Sequence, residues 1–143
     1  MCLTYSANVT WCPGGVPVLW FPDLPGAEFA GDDRSAIATL AQDALLTALE
    51  ARIWAWQPLP DPCENQPDQI PIPLPPLAAA KVGLYRTLHD AGWSRDGLAL
   101  FLGMDTVTVS ALLDLRHDIP IQDIDDVLAR LGKKLMISID DRP

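Results

Sequence analysis

The sequence predicts an α+β N-terminal domain, a β-hairpin or small β-sheet plus one long helix, followed by an all-α domain that ends in a short strand. Three observations predict it. Short apolar runs bounded by Pro and Gly clusters occupy the first thirty residues. Apolar residues at three- and four-residue steps run from Ser35 to Trp56 and again beyond Ala78. Between these lies Gln57 to Leu77, which holds eight of the fourteen prolines. The domain expectation is therefore 1–56, a proline-rich linker over 57–77 and a helical domain over 78–143, with an extension of the first domain to about 74 left open by the run Ile70 to Leu77.

The first strand is expected in Leu3 to Thr10, where Tyr5, Val9 and Thr10 favour extended backbone. Pro13-Gly14-Gly15 reads as a turn, and Val16 to Phe21 as the second strand of a hairpin. Pro22-Asp23-Leu24-Pro25-Gly26 interrupts regular structure, because its prolines fix φ and remove amide donors. Glu28 to Ala30 is a candidate third strand, and Gly31-Asp32-Asp33 turns the chain into a helix capped by Asp33 or Ser35. In that helix Ile37, Leu40, Ala41, Ala44, Leu45, Ala48 and Leu49 form one apolar stripe, with Trp54 and Trp56 expected as core plugs at its end.

The prolines at 58, 60, 62 and 67 exclude a helix and favour a semi-rigid polyproline spacer. Four helices are expected after it. The first carries Leu84, Leu88 and Ala91 and stops at Gly92. Ser94 caps the second, Arg95 to Leu102, which Gly103 ends. Asp105 or Thr106 caps the third, Thr106 to Leu115, and the fourth follows Pro120 and ends at Gly132. Lys134 to Asp140 alternates like a short strand, suited to pairing between two copies.

The net charge of −9 is unevenly spread. Met1 to Ala80 holds nine acidic and two basic residues, a net of −7; Lys81 to Pro143 holds ten and eight, a net of −2. An acidic first half repels nucleic acid and suits a basic protein partner, with solubility alone as the plain alternative. Three cysteines without regular spacing, and only two histidines, argue against a disulfide framework, a zinc site or a Ser/His/Asp arrangement, so neither a metal nor another cofactor is expected. No signal peptide and no run of about 18 apolar residues is seen, which leads to the expectation of a cytoplasmic chain with no membrane partner.

The second and third helices of the C-terminal region have the pattern of a helix-turn-helix. Ala99 is small enough for close approach, Gly103 allows the tight turn, and Val109 and Leu112-Leu113 plug the crossing. Residues at the start of the third helix, Thr106, Val107, Thr108 and Ser110, would then face bases, by hydroxyl hydrogen bonds or contact with thymine methyls. Ser94, Arg95, Arg116 and His117 complete the candidate DNA-binding set, with Lys133 and Lys134 nearby in sequence. Against this, no Arg, Lys, Asn or Gln lies between Thr106 and Leu115. An ordinary helical module stays open.

The run Trp20-Phe21-Pro22-Asp23-Leu24-Pro25-Gly26, followed by Gly31-Asp32 and a helix, resembles the signature of the HicB antitoxins. So do the order of hairpin, turn, helix, proline-rich tail and helix-turn-helix, and Leu113 to Leu131 with its Arg116-His117. The resemblance implies a partial RNase H-like N-terminal domain without nuclease activity. That domain would cover the active site of a small HicA-type toxin, a basic messenger-RNA-cleaving protein. Phe21, Asp23, Leu24, Glu28 and Asp32 are the candidate toxin contacts. The C-terminal domain would bind operator DNA and repress its own operon, as a homodimer or higher oligomer with reading helices about one DNA turn apart.

The chain departs from that family at Asp33-Arg34-Ser35-Ala36, where paired glutamates are usual, and in the richness of its linker in proline. A nuclease would need carboxylates converging on metal ions. Asp23, Glu28, Asp32 and Asp43 are the candidates, but Asp23 and Asp32 sit in turns, so no catalytic residue is expected. Two alternatives remain: an interaction-only antitoxin whose helix-turn-helix does not bind DNA, and a stand-alone regulator that senses a small ligand.

Overall fold

The computed structural model describes residues 3–25, 28–30, 37–139 and 141. Two compact units divide it, Met1–Ala79 and Ala80–Pro143.

The first unit is α+β. Strands β1 (Thr4–Trp11), β2 (Pro17–Trp20), β3 (Glu28–Ala30) and β4 (Ile70–Pro73) form one antiparallel sheet in the order β3-β2-β1-β4. The hairpin register pairs Asn8 with Trp20 and Trp11 with Pro17. Its turn closes through Cys12 N to Val16 O, with Gly14 and Gly15 at φ 92° and 80°. Those left-handed values are open to glycine without steric cost. Alternation puts Tyr5, Ala7 and Leu19 on a fully buried face. β4 pairs Ile72 with Tyr5, and Pro71 and Pro73 are tolerated because β4 is an edge strand.

Helix α1 (Ile37–Trp54) lies against β3 and β4. Ala41, Leu45, Leu49 and Ile53, each four residues apart, form its buried stripe. The expected caps Asp33 and Ser35 lie outside the described residues. The expected core plugs are not both inside: Trp54 is 73% exposed, and Ile53 fills the core position instead, because it continues the four-residue step. Trp56 takes φ 55°, and Gln57 N donates to Arg52 O across it, closing the helix where glycine is more usual.

The stretch expected to space two domains is held to the first unit. Tyr5 Oη donates to Pro60 O at 2.8 Å, Ser6 Oγ to Asn65 Oδ1 at 2.8 Å, and Cys63 N to Asp23 Oδ2 at 3.0 Å. β4 then carries the stretch into the sheet.

Among the described residues the second unit is helical. Helix α2 (Pro76–Asp90) begins at the end of the first unit and is followed by α3 (Arg95–Leu102), α4 (Thr106–Leu113) and α5 (Ile121–Arg130). Val82, Leu84, Tyr85, Leu88, Leu98, Val109 and Ile124 are fully buried. α4 stops at Leu113, short of the expected Leu115, because Asp114 leaves helical geometry at ψ 111°. The expected strand from Lys134 is absent: residues 134–139 form no ladder. The regular elements of this unit are helices, so its single copy offers that segment no strand partner. Leu135 N bonds Asp125 Oδ1 at 3.2 Å, while Met136, Ile137 and Ile139 are 77%, 73% and 97% exposed.

Candidate functional site

Two surfaces carry the residues singled out in the sequence, one on each unit. On the first unit the Phe21–Pro25 turn is anchored from inside. Phe21 and Leu24 are almost fully buried, so they pack the turn, and Leu24 N donates to Phe21 O at 3.1 Å. Asp23 is half-buried and its carboxylate accepts the Cys63 amide. The hydrogen bond to Asp23, and then its charge, push the Cys63 thiol above its usual range. Glu28 is exposed on the edge strand β3. Asp32 lies outside the described residues. The structure therefore joins Asp23 to the proline-rich stretch, a pairing with no local signal in the sequence.

On the second unit α3 and α4 meet at 110° across the turn Gly103–Asp105. Gly103 is left-handed at φ 65°, and Met104 N returns to Ala99 O at 3.0 Å. Both helices have side-chain N-caps. Ser94 Oγ accepts from Gly97 N at 3.0 Å, and Asp105 Oδ1 from Thr108 N at 2.7 Å. Hydrogen bonding from the Thr108 side chain, and then from its backbone amide, holds the Asp105 carboxyl below the usual range, because both stabilise the ionised form. Leu98, Ala99, Leu102, Val109, Leu112 and Leu113 fill the crossing.

Packing of that crossing leaves the start of α4 open. Thr106, Val107 and Thr108 are exposed and Ser110 is half-buried. Ser94, Arg116 and His117 are exposed, and Arg95 is half-buried. Exposed Leu100 and Met104 add apolar surface on the same helix pair.

Two further cations serve the helix ends. Arg130 donates to Leu102 O at 3.1 Å and Phe101 O at 2.9 Å, its guanidinium over the Phe101 ring at 5.1 Å. Lys81, fully buried, donates to carbonyls at the end of α4. Sequence reasoning missed both, because their partners are backbone atoms about a fifth of the chain away.

Among the described residues no three His, Cys, Asp or Glu side chains gather where they could hold a metal ion. No single helix among them is long and apolar enough to cross a membrane.

The family described as HicB-like antitoxin of bacterial toxin–antitoxin systems matches residues 4–83. An antitoxin HicB of Pseudomonas fluorescens is 33% identical over 140 residues, covering 95% of this chain and 93% of its own length. An antitoxin named HicB 1 of Photorhabdus laumondii is 32% identical over 120 residues, 84% of this chain and 76% of the relative. An antitoxin HicB of Escherichia coli is 28% identical over 137 residues, 94% of this chain and 98% of the relative.

Proposed function

The chain belongs to the HicB-like antitoxins of bacterial toxin–antitoxin systems, and from that premise we propose that it neutralises a small, basic, messenger-RNA-cleaving toxin of the HicA type and represses its own operon at operator DNA. The observation that carries the reading is the extent of the similarity, 95% of this chain against 93% of a named antitoxin. It runs through both units, so both halves of the activity are proposed together.

The first unit is the toxin-binding half. Its net charge of −7 favours encounter with a basic partner. Exposed Glu28 and half-buried Asp23 are the contacts proposed from the described residues, with Phe21 and Leu24 shaping the turn beneath them. Asp32 keeps its proposed role from sequence alone. The partial RNase H-like fold is proposed for this unit from the family resemblance; its sheet runs β3-β2-β1-β4 with β4 antiparallel to β1.

The second unit is the DNA-binding half. The capped, crossed α3–α4 pair is a helix-turn-helix that presents Thr106, Val107, Thr108 and Ser110 to base edges. Ser94, Arg95, Arg116 and His117 contact phosphates. Exposed Val107 suits a thymine methyl. A dimer forms when residues 134–139 of two copies pair as strands and cover the exposed Met136, Ile137 and Ile139.

A second reading, an antitoxin that binds toxin but not DNA, is favoured by one observation. The α3–α4 pair is apolar at exposed Leu100 and Val107, and α4 lacks the basic and amide side chains that most reading helices use.

The test is co-purification of the tagged chain with the small protein encoded beside it, with assays of RNA cleavage and of binding to its own upstream DNA. A complex that silences cleavage and shifts the DNA supports the proposal. A complex with no shift moves the function to the second reading. No complex with a folded chain removes the toxin half.

A further inference from the structure

Lys81 has a side chain with no solvent exposure at all. Burying an ammonium group costs several kcal/mol unless hydrogen bonds replace its water. Here they do. Nζ donates to Ala111 O at 3.2 Å, to Asp114 O at 2.5 Å and to His117 O. Ala111 lies in the last turn of α4, and Asp114 and His117 bound the turn that follows. The last carbonyls of a helix lack intrahelical partners and form the negative end of its dipole, so a cation is well placed there. A neutral apolar side chain would fill the same volume but take this donor away from all three carbonyls.

The turn that Lys81 closes is the one that carries Arg116 and His117. Asp114 O accepts from His117 N at 3.1 Å as well as from Lys81, and Asp114 Oδ1 accepts from Arg116 N at 3.0 Å. Asp114 thus orients the turn from within, and Lys81 ties it to α2 from outside. Its neighbours Ala80 and Val82 are also buried, so the root of the side chain is held by packing on α2. Arg116 and His117 stand exposed on this turn.

We propose that Lys81 is a positioning residue for DNA binding: its buried ammonium sets where α4 ends and holds the Arg116–His117 turn in the geometry that meets phosphates. The inference rests on the DNA-binding half of the proposed function. Lys81 touches no DNA itself. It acts through the backbone of residues 111–117, as Arg130 does at the end of α3.

The test is a double-mutant cycle in the full chain. Affinity for the duplex upstream of its own gene is measured for wild type, Lys81→Met, Arg116→Ala and the double variant. Amide hydrogen exchange at Arg116 and His117 reports the order of the turn. Lys81→Met is expected to stay folded, to capture toxin as wild type does, and to lose affinity on the order of tenfold. The loss due to Arg116→Ala should shrink to less than about twofold in the Lys81→Met background, with faster exchange at His117. Mere destabilisation would leave the two losses additive.

Wild-type affinity in Lys81→Met, or additive losses, overturns the role while leaving the DNA reading intact. A wild-type chain that does not bind the duplex overturns the DNA reading and the role with it. If Lys81→Met does not fold, Lys81→Gln, which keeps a donor, replaces it in the cycle. Unfolding of both would make Lys81 a folding requirement and overturn the role.

Discussion

At the scale of single residues, Asp105 shows how one side chain sets the start of the proposed reading helix. Its carboxylate satisfies the Thr108 amide, one of the donors that a helix N-terminus leaves unpaired. Hydrogen bonding from the Thr108 side chain, and then this amide bond, lowers its pKa. A carboxyl with a lowered folded pKa contributes stability above the unfolded value, about 4, and loses it as pH falls through the folded one. Asp105→Ala is therefore expected to melt below wild type near neutral pH, with the gap closing as pH falls below about 4. Thermal melts of both chains between pH 7 and pH 3 check this; a gap independent of pH would remove the ionised cap from the explanation. Asp105 was legible as a cap because capping is local: it needs only an Asp immediately before an apolar run. Asp23 was legible as a turn residue but not as the partner of Cys63, since nothing in a turn sequence says which distant amide it will meet.

At the scale of elements, the proline-rich stretch changes character between sequence and structure. Proline content excludes a helix, and none forms in the stretch before Pro76, where α2 begins two residues earlier than expected. It does not follow that the segment is a free spacer. Tyr5, Ser6 and Asp23 each bond to it, and Ile70–Pro73 joins the sheet. Tyr5→Phe removes the bond to Pro60 O while keeping the buried ring, and is expected to cost about 1 kcal/mol. Chemical denaturation should show that loss as a lower midpoint with an unchanged slope. Proteolysis within residues 58–69 should also quicken. A variant as stable and as resistant as wild type would mean that the Tyr5 bond does not help to hold the stretch. The helices of the second unit were read to within a few residues, because caps and Gly stops are short-range signals; α2 and α5 end at Asp90 and Arg130, just before the expected Ala91 and Leu131, and α4 ends at Leu113, where Asp114 accepts from Arg116 N.

At the scale of the whole molecule, the segment 134–139 has strand periodicity and forms no ladder among the described residues of its own unit. Its exposed Met136, Ile137 and Ile139 are the apolar surface that the proposed dimer covers. Ile137→Lys is expected to lower the oligomeric mass measured by light scattering, and to weaken binding to a two-half-site duplex more than to a single half-site. Unchanged mass would place any interface elsewhere. The charge division between the halves belongs to this scale too. With −7 on the first half and −2 on the second, toxin capture should weaken as salt rises, through slower association. Stopped-flow association rates at two ionic strengths measure this, and a salt-independent rate would discard the electrostatic account.

Local sequence was enough for the α+β-then-α order, the hairpin turn, the cap at Ser94, the narrowing of the next cap to Asp105 or Thr106, the break at Gly103 and the apolar stripes of α1 and the later helices. Each depends on residues within one or two turns of each other, where backbone sterics and spacing act alone. The tertiary structure decided the rest. It placed Tyr5 against Pro60, Asp23 against Cys63, and Lys81 against the end of α4, with partners 55, 40 and 30 to 36 positions away. A hydroxyl, a carboxylate or an ammonium can bond any backbone group that packing brings to it, so its identity in the sequence says what it can bond but not where the partner will be. For that reason Lys81, fully buried, carries no signal in the sequence of the carbonyls it meets.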